Sequence, residues 1–301
     1  MNRDIRRWLS PSNQEPEYYQ EHFKNEEKKR FPETCKWILD NESFKSWCGG
    51  STVAGSASEL TVPGSPSDST ASDSASVITL SASAPGILWI SAIPGAGKSV
   101  LASFLVNNVP DFARRTRKIH FFCDNTDTTR NSAVEVLRSL VYQLYTFATH
   151  EHASFDSLLS ETVQRSTQGN ATQLQTLWGL FEAFIAVEED KTALVVVIDA
   201  LDECNDRKHL IKCFANAAHS HPQLKVLFTS RREEDICHHM SNLNIQEIRL
   251  GQKEVDSDIA LFLEGKIEKP RYHRLRRNPS VKALVLKRLK EGSQGMFLWA
   301  A

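Results

Sequence analysis

Along most of the chain, short apolar runs alternate with amphipathic ones. Five runs read as strands covered on both faces: Ile87 to Ala92, Lys118 to Cys123, Ala193 to Asp199, Leu224 to Thr229 and Ile245 to Leu250. Each is short and mostly β-branched or apolar, as central parallel strands are. Between them, apolar residues recur at spacings of three and four: Val100, Leu101, Phe104 and Leu105; Val134, Leu137, Val141 and Leu144; Leu174, Leu177, Phe181 and Phe184. That spacing lays one apolar stripe along a helix. The alternation predicts an α/β fold, a doubly wound parallel sheet with helices on both faces. Ligands of such sheets bind beyond the carboxyl ends of the strands.

Two stretches depart from the pattern. Residues 51–86 are dominated by Ser, Thr, Ala, Gly and Pro, carry no aromatic residue, and fall within a span free of Lys and Arg from Lys45 to Lys98. Such a segment buries too little apolar surface to offset its ordering entropy, and it is expected to be a disordered linker. Before it, Trp8 and Leu9 precede Pro11, and Trp37 with Leu39 and Phe44 with Trp47 could anchor two short helices. So few apolar residues cannot make a core alone, so this region is expected to dock on the larger domain beyond the linker. The expected organisation is an N-terminal helical region (1–50), the linker (51–86), a nucleotide-binding core (87–252) and the start of a C-terminal helical subdomain (253–301).

Composition narrows the function classes. The chain has 301 residues with 36 basic and 37 acidic side chains, so a generally basic nucleic-acid binder is excluded, though not a local patch. The apolar run Leu194 to Ile198 is far too short to span a bilayer, and the polar N-terminus lacks a hydrophobic signal core. A cytoplasmic location without a membrane span is expected. The cysteines at 35, 48, 123, 204, 213 and 237 form no CxxC pair and read as reduced thiols.

The chemistry sits at strand ends. The first strand runs into Ile93, then Pro94, Gly95, Ala96, Gly97, Lys98, Ser99 and Val100, where a helical pattern begins. Strand, glycine loop and helix together wrap backbone N–H groups around phosphates. Lys98 would reach the β- and γ-phosphates, and Ser99 would offer its hydroxyl to Mg²⁺. The strict pattern GxxxxGK[ST] asks for glycine at 92, where this chain has Ala92. A methyl there is tolerated if φ is negative. The third strand ends in Asp199, placing a carboxylate where Mg²⁺ needs an oxygen ligand. Asp202 and Glu203 come next, and one or both could orient or deprotonate an attacking water. The alternative is an acid cluster capping the next helix. The fourth strand ends in Ser230, Arg231 and Arg232. Arg231 beside a γ-phosphate would sense or stabilise its charge, with Ser230 as a further donor. Otherwise these arginines are solvated, or pair with Glu233, Glu234 or Asp235.

Together these residues resemble the NACHT class of STAND P-loop NTPases, and most of all the fungal NOD-like receptors with a nephrocystin-type N-terminal NTPase domain. The similar stretches are WLSP at 8–11, the Thr34 to Trp47 segment, LWISAIPGAGKSVLASFLV, HFFCD at 120–124, LRSLVYQL at 137–144, VVVIDALDEC at 196–204, LFTSR at 227–231 and GMFLWAA at 295–301. The resemblance implies a five-stranded sheet of order 5-1-4-3-2, ATP or ADP with Mg²⁺, and slow hydrolysis used as a switch. It also implies self-association and protein partners in intracellular signalling, in fungal non-self recognition and cell death. By the family pattern, Lys98, Ser99, Asp199 and Arg231 are the phosphate, metal and sensor residues, and Asp202 with Glu203 form its acidic extension.

Departures from that pattern are Ala92, Arg232 where a proline often comes after the arginine, the Ser-rich insertion, and an end at Ala301 soon after GMFLWA. Members usually continue with helical closure, winged-helix elements and repeats. A fragment, a truncated gene and a short adaptor-like member are the readings this leaves open.

Other features are set aside. Residues 266–290 are strongly basic, with Glu268 the acid among Lys266 to Lys290, and read as a solvated helical face rather than a nucleic-acid or lipid surface. His238 with His239, and His150 with His152, lack a third metal ligand at helical spacing. Cys123 and Cys204 have no paired base that would make a nucleophile. Two competing readings remain: an ordinary P-loop kinase or fast ATPase, which needs an acceptor lid or rapid turnover, and a degenerate binding module, suggested by Ala92 and the short chain.

Overall fold

A computed structural model of the chain describes residues 3–10, 18–49, 86–148, 153–166, 173–187 and 192–300. The expected linker lies outside the described residues, save its last position.

In chain order the elements are α1 (Arg3–Leu9), α2 (Tyr18–Lys29), α3 (Trp37–Asp40), α4 (Glu42–Gly49), β1 (Ile87–Ala92), α5 (Lys98–Asn108), β2 (Arg115–Phe122), α6 (Ala133–Ala148), α7 (Ala153–Ser166), α8 (Gln173–Val187) and β3 (Thr192–Asp199). Next come α9 (Arg207–Ser220), β4 (Leu224–Ser230), α10 (Glu234–Asn242), β5 (Gln246–Leu250), α11 (Gln252–Ile267), α12 (His273–Arg276), α13 (Pro279–Ser293) and α14 (Phe297–Ala300).

The strands form one parallel sheet ordered β2-β3-β4-β1-β5, which is the 5-1-4-3-2 order read from the opposite edge. Its central strands β1, β3 and β4 are buried along their whole length, as their unbroken apolar runs require. β2 starts three residues earlier than its apolar run, at Arg115. There it is an edge strand whose first two positions are exposed or half-exposed, a place where charged residues are tolerated. α7 adds a helix beyond those the periodicity predicts. Its Phe155, Leu159 and Val163, spaced by four, reach the core.

Alternation along each strand divides the core into two layers. Leu194, Val196 and Ile198 of β3 join Trp89, Phe121 and Phe228 against α6, α8 and α9. Val195 and Val197 join Leu88, Ile90, Leu227 and Ile248 against α5 and α11. The N-terminal helices contribute to both layers: Ile5 and Leu9 to the first, Ile38, Phe44 and Trp47 to the second. The Trp47 indole also donates to the Gly86 carbonyl at 3.1 Å, tying α4 to the start of β1. By register, Ser91 of β1 lies opposite Ser230 of β4, and Ile198 of β3 opposite Phe228. The ends of β1, β4 and β3 therefore lie side by side at one sheet edge.

Candidate functional site

The glycine loop leaves β1 at Ala92, the strand's last residue, paired with Leu250 of β5. Ala92 is buried in strand backbone, outside the left-handed region, so the missing glycine causes no strain here. Strain is relieved further on: Gly95 has φ 72° and Gly97 has φ 89°, a region that favours glycine. Gly97 immediately precedes α5, so Lys98, Ser99 and Val100 form the first turn, whose N–H groups have no partner within the helix. Lys98 Nζ lies 3.5 Å from the Ile93 carbonyl across the loop. Burial presses its ammonium below the ordinary lysine value, against the pull of Asp202 and Asp199.

Asp199 is buried at the end of β3. It accepts a hydrogen bond from the Thr229 hydroxyl, and the nearby Ser99 hydroxyl also favours its ionised form, yet burial outweighs both and pushes its carboxyl up to about 6. Thr229 Oγ1 in turn accepts the Ala200 amide at 3.0 Å. Ala200, at φ 53°, turns the chain into the short helical turn Leu201–Glu203. That turn carries the two further acids. Asp202 Oδ1 accepts the Arg231 amide at 2.9 Å, and Asp202 Oδ2 lies 3.3 Å from Arg231 Nε. Glu203 Oε1 lies 3.7 Å from Arg231 Nη2, and Glu203 Oε2 accepts the Asn125 amide at 3.1 Å. The structure thus gathers Lys98, Ser99, Asp199, Asp202, Glu203 and Arg231 at one place. Asp202 is nearly covered, whereas Glu203 and Arg231 line the cavity above the loop.

Arg231 does not pair with the acids that come after it in sequence. Glu233 and Asp235 bind Arg207 instead, at 2.6 and 2.9 Å, and Arg207 also donates to the Asp202 carbonyl at 2.6 Å. Arg232 turns away, onto Glu247 and the face of Trp89. Ser230 corrects an expectation: its buried hydroxyl accepts the Trp89 indole N–H and donates to the Arg231 carbonyl, both at 2.8 Å, so it is not aimed at the site.

That cavity measures about 520 Å³, within the range of small-molecule sites. Pro94, Gly95, Ala96, Gly97, Lys98, Ser99 and Val100 line one end with Glu203 and Arg231. Phe31, Thr34 and Cys35, on the segment between α2 and α3, and Trp37, which opens α3, also line the cavity, together with Asp258 and Phe262 of α11. The C-terminal motif closes over the loop: Leu298 donates its amide to the Gly95 carbonyl at 3.2 Å, and a Cβ at Gly97 would lie 3.4 Å from the Phe297 ring.

The donor set suits a triphosphate with Mg²⁺. Unsatisfied amides, an ammonium and a guanidinium meet anionic oxygens, while a hydroxyl beside a buried carboxylate meets a hard cation. Sequence reasoning passed over Thr229, although a threonine ending a buried strand is itself a polar residue in need of a partner. It also missed the far wall, whose residues are scattered in sequence.

The remaining candidates resolve structurally. Cys123 and Cys204 are buried neighbours at the strand ends: the Cys204 thiol and burial raise the Cys123 thiol, while Cys123 lowers Cys204. His239 contacts the Asp235 carbonyl and His238 contacts Asn242, while His150 and His152 lie outside the described residues. In the basic stretch, Glu268 holds Arg276 at 3.4 Å and Lys282 at 2.9 Å. Lys290 reaches Asp256 on α11 at 3.6 Å. Among the described residues no helix is long and apolar enough to cross a membrane, and no cluster of three or more His, Cys, Asp or Glu could hold a metal ion.

The profile of the family described as nephrocystin 3, N-terminal, matches residues 71–231, more than half the chain, from the Ser-rich segment through Arg231. The chain is also 24% identical over 225 residues to the vegetative incompatibility protein HET-E-1 of Podospora anserina. That match takes in 71% of this chain but spans only 16% of the relative's length. With the parallel sheet, the glycine loop and the acid-ended third strand in place, the chain belongs to the nephrocystin 3 N-terminal family, within the NACHT-type proteins whose motifs it carries.

Proposed function

We propose that this chain binds ATP and ADP with Mg²⁺ and acts as a nucleotide-dependent signalling switch with slow hydrolysis. The observation that carries the reading is the convergence of the α5 N-terminus, Lys98, the Ser99–Asp199 pair and Arg231 on one end of a nucleotide-sized cavity. Bound Mg²⁺ would neutralise phosphate charge, with Ser99 and Asp199 as its protein ligands. Lys98 and the loop and first-turn amides, those of Lys98, Ser99 and Val100 above all, hold the phosphates. Glu203, which faces the cavity, orients water, and Asp202 holds Arg231 by its amide and guanidinium. Arg231 stabilises charge that develops on the terminal phosphate.

Slow turnover fits the ground state of these groups. Arg231 is engaged by two acids and Asp199 is buried, so hydrolysis waits on rearrangement. The switch reading includes self-association in the ATP state, protein signalling partners and a cytoplasmic setting, in non-self recognition or cell death. It assigns 87–252 to the nucleotide-binding core, 1–50 to its N-terminal helical region and 253–301 to the start of a helical subdomain.

Mass spectrometry of nucleotide retained by the purified protein tests the reading directly, and ATP or ADP at near one per chain is expected. Protein purified without nucleotide that also gains no melting temperature in saturating Mg-ATP would contradict it, since about 2.7 kcal/mol is expected at 100-fold excess over Kd. Turnover above about 1 s⁻¹ would favour an ordinary ATPase instead.

A further inference from the structure

One wall of the cavity is held in a conformation its own sequence disfavours. Between α2 and α3 the chain turns through Phe31 to Lys36. Two non-glycine residues there, Glu33 at φ 68° and Cys35 at φ 70°, occupy the left-handed region. Such backbone persists only where the surroundings over-determine it. Local bonds supply part of that: Thr34 Oγ1 donates to the Phe31 carbonyl at 2.6 Å, and Arg30 donates to the Thr34 carbonyl at 3.0 Å. The rest comes from α11, more than 200 residues away in sequence. Asp258 Oδ2 accepts both the Cys35 amide at 2.7 Å and the Trp37 indole N–H at 3.1 Å. Two turns along, the Phe31 ring fills the space left by Gly265, where a Cβ would lie 2.0 Å from its tip. Phe31 also meets the Phe262 ring edge-on at 6.0 Å.

Asp258 sits on the buried face of α11 among Val255, Ile259 and Leu263. A carboxyl there costs desolvation, and burial does raise it above the ordinary aspartate value against its bonds to Cys35 and Trp37. An apolar residue would pack this face at lower cost, so the acid's distinctive contribution is the two bonds it makes. What those bonds position is an aromatic surface of Phe31, Trp37 and Phe262 that lines the same cavity as Lys98, Arg231 and the glycine loop. A nucleotide laid with its phosphates on Gly95–Ser99 has a flat base to place elsewhere in that cavity, and the aromatic rings lining it offer a favourable stacking surface.

We infer that Asp258 is a positioning residue for nucleobase recognition. It pins the 31–37 segment to α11 and so builds the wall on which the base rests, with Gly265 seating the other end of the segment. The inference rests on the proposal that the cavity holds a nucleotide.

The test compares two probes on the full chain by calorimetry: Mg-ATP, which has a base, and Mg-tripolyphosphate, which has none. Asp258→Ala and Gly265→Ala are each expected to weaken Mg-ATP by about tenfold or more while tripolyphosphate affinity stays within about twofold. Gly265→Ala guards against a folding failure of the first variant, because alanine favours the helix and only the far end of the Phe31 side chain must move. Wild-type ATP affinity in both variants overturns the inference, as does an equal loss of both probes, which would mean general disruption. If the unaltered chain binds neither probe, the nucleotide reading itself has failed.

Discussion

The two ends of the cavity are built in opposite ways. The phosphate end is charged and assembled from residues at or just beyond strand ends: β1, β3 and β4 end at Ala92, Asp199 and Ser230, the sheet register brings those ends together, and Lys98, Glu203 and Arg231 follow them. Each of its motifs is contiguous in the chain. The far end is aromatic and assembled from the N-terminal segment and α11, joined by Asp258 and Gly265. One end takes its geometry from a rigid sheet. The other takes it from side chains that staple a strained loop to a distant helix. Charge should therefore dominate affinity at the first end, and conformational stability should dominate at the second.

The sharpest break in that comparison is Lys98→Ala. It should abolish measurable calorimetric binding of Mg-ATP and of Mg-tripolyphosphate alike, since the lost ammonium serves only the phosphates. Retained tripolyphosphate binding would show that the loop amides suffice and that the ammonium is dispensable. Next, Arg231→Ala should lower single-turnover hydrolysis by on the order of 100-fold, as removal of a transition-state donor does, with ATP affinity changed only a few-fold. An affinity loss as large as the rate loss would instead make Arg231 a ground-state binder.

Asp199 separates function from stability at the phosphate end. Its carboxyl, raised from 3.8 to about 6 by burial, keeps its proton in the folded state after the unfolded chain has released it. Between these two values the native state binds more protons, so the contribution of Asp199 to stability falls as pH rises through that window. Above about 6 the full cost, about 3 kcal/mol, remains in the ligand-free protein. Asp199→Asn should remove that slope and make the ligand-free protein more stable near pH 7.5 in urea titrations, while eliminating the Mg²⁺ dependence of nucleotide binding. An unchanged stability profile would mean that Ser99 and Thr229 hold the carboxylate ionised. The smallest effect is expected from Thr229→Val, which keeps the shape but strips the Ala200 amide of its acceptor and Asp199 of a donor. It should cost about 1–3 kcal/mol in the same titration.

Most of the sheet was legible because central parallel strands must be apolar on both faces, and β1, β3 and β4 are. Edge strand β2 was misjudged at its start, because Arg115 and Arg117 fit an edge as well as a loop. Helix α7 was missed among polar neighbours, its stripe of Phe155, Leu159 and Val163 being thin. At the site, Lys98, Ser99, Asp199, Asp202, Glu203 and Arg231 were legible as motifs at strand ends. Their partners were not. Nothing local pairs Arg231 with Asp202 rather than Asp235, or sends Ser230 to Trp89. Asp258 left one trace, an acid interrupting the apolar stripe of Val255, Ile259 and Leu263, but the stripe does not name its partner.

By itself, then, the sequence determined the strands, their parallel layering, the glycine loop and the acids and arginine that end β3 and β4. These depend on periodicity and spacing along the chain, which local sterics and burial fix. Only the tertiary structure decided that Ala92 is unstrained, that Arg231 is held by Asp202, and that a segment near residue 35 is stapled to Asp258 to wall the cavity. Those outcomes depend on which distant groups meet once the sheet closes, and a buried donor or acceptor takes whatever partner the fold brings within reach.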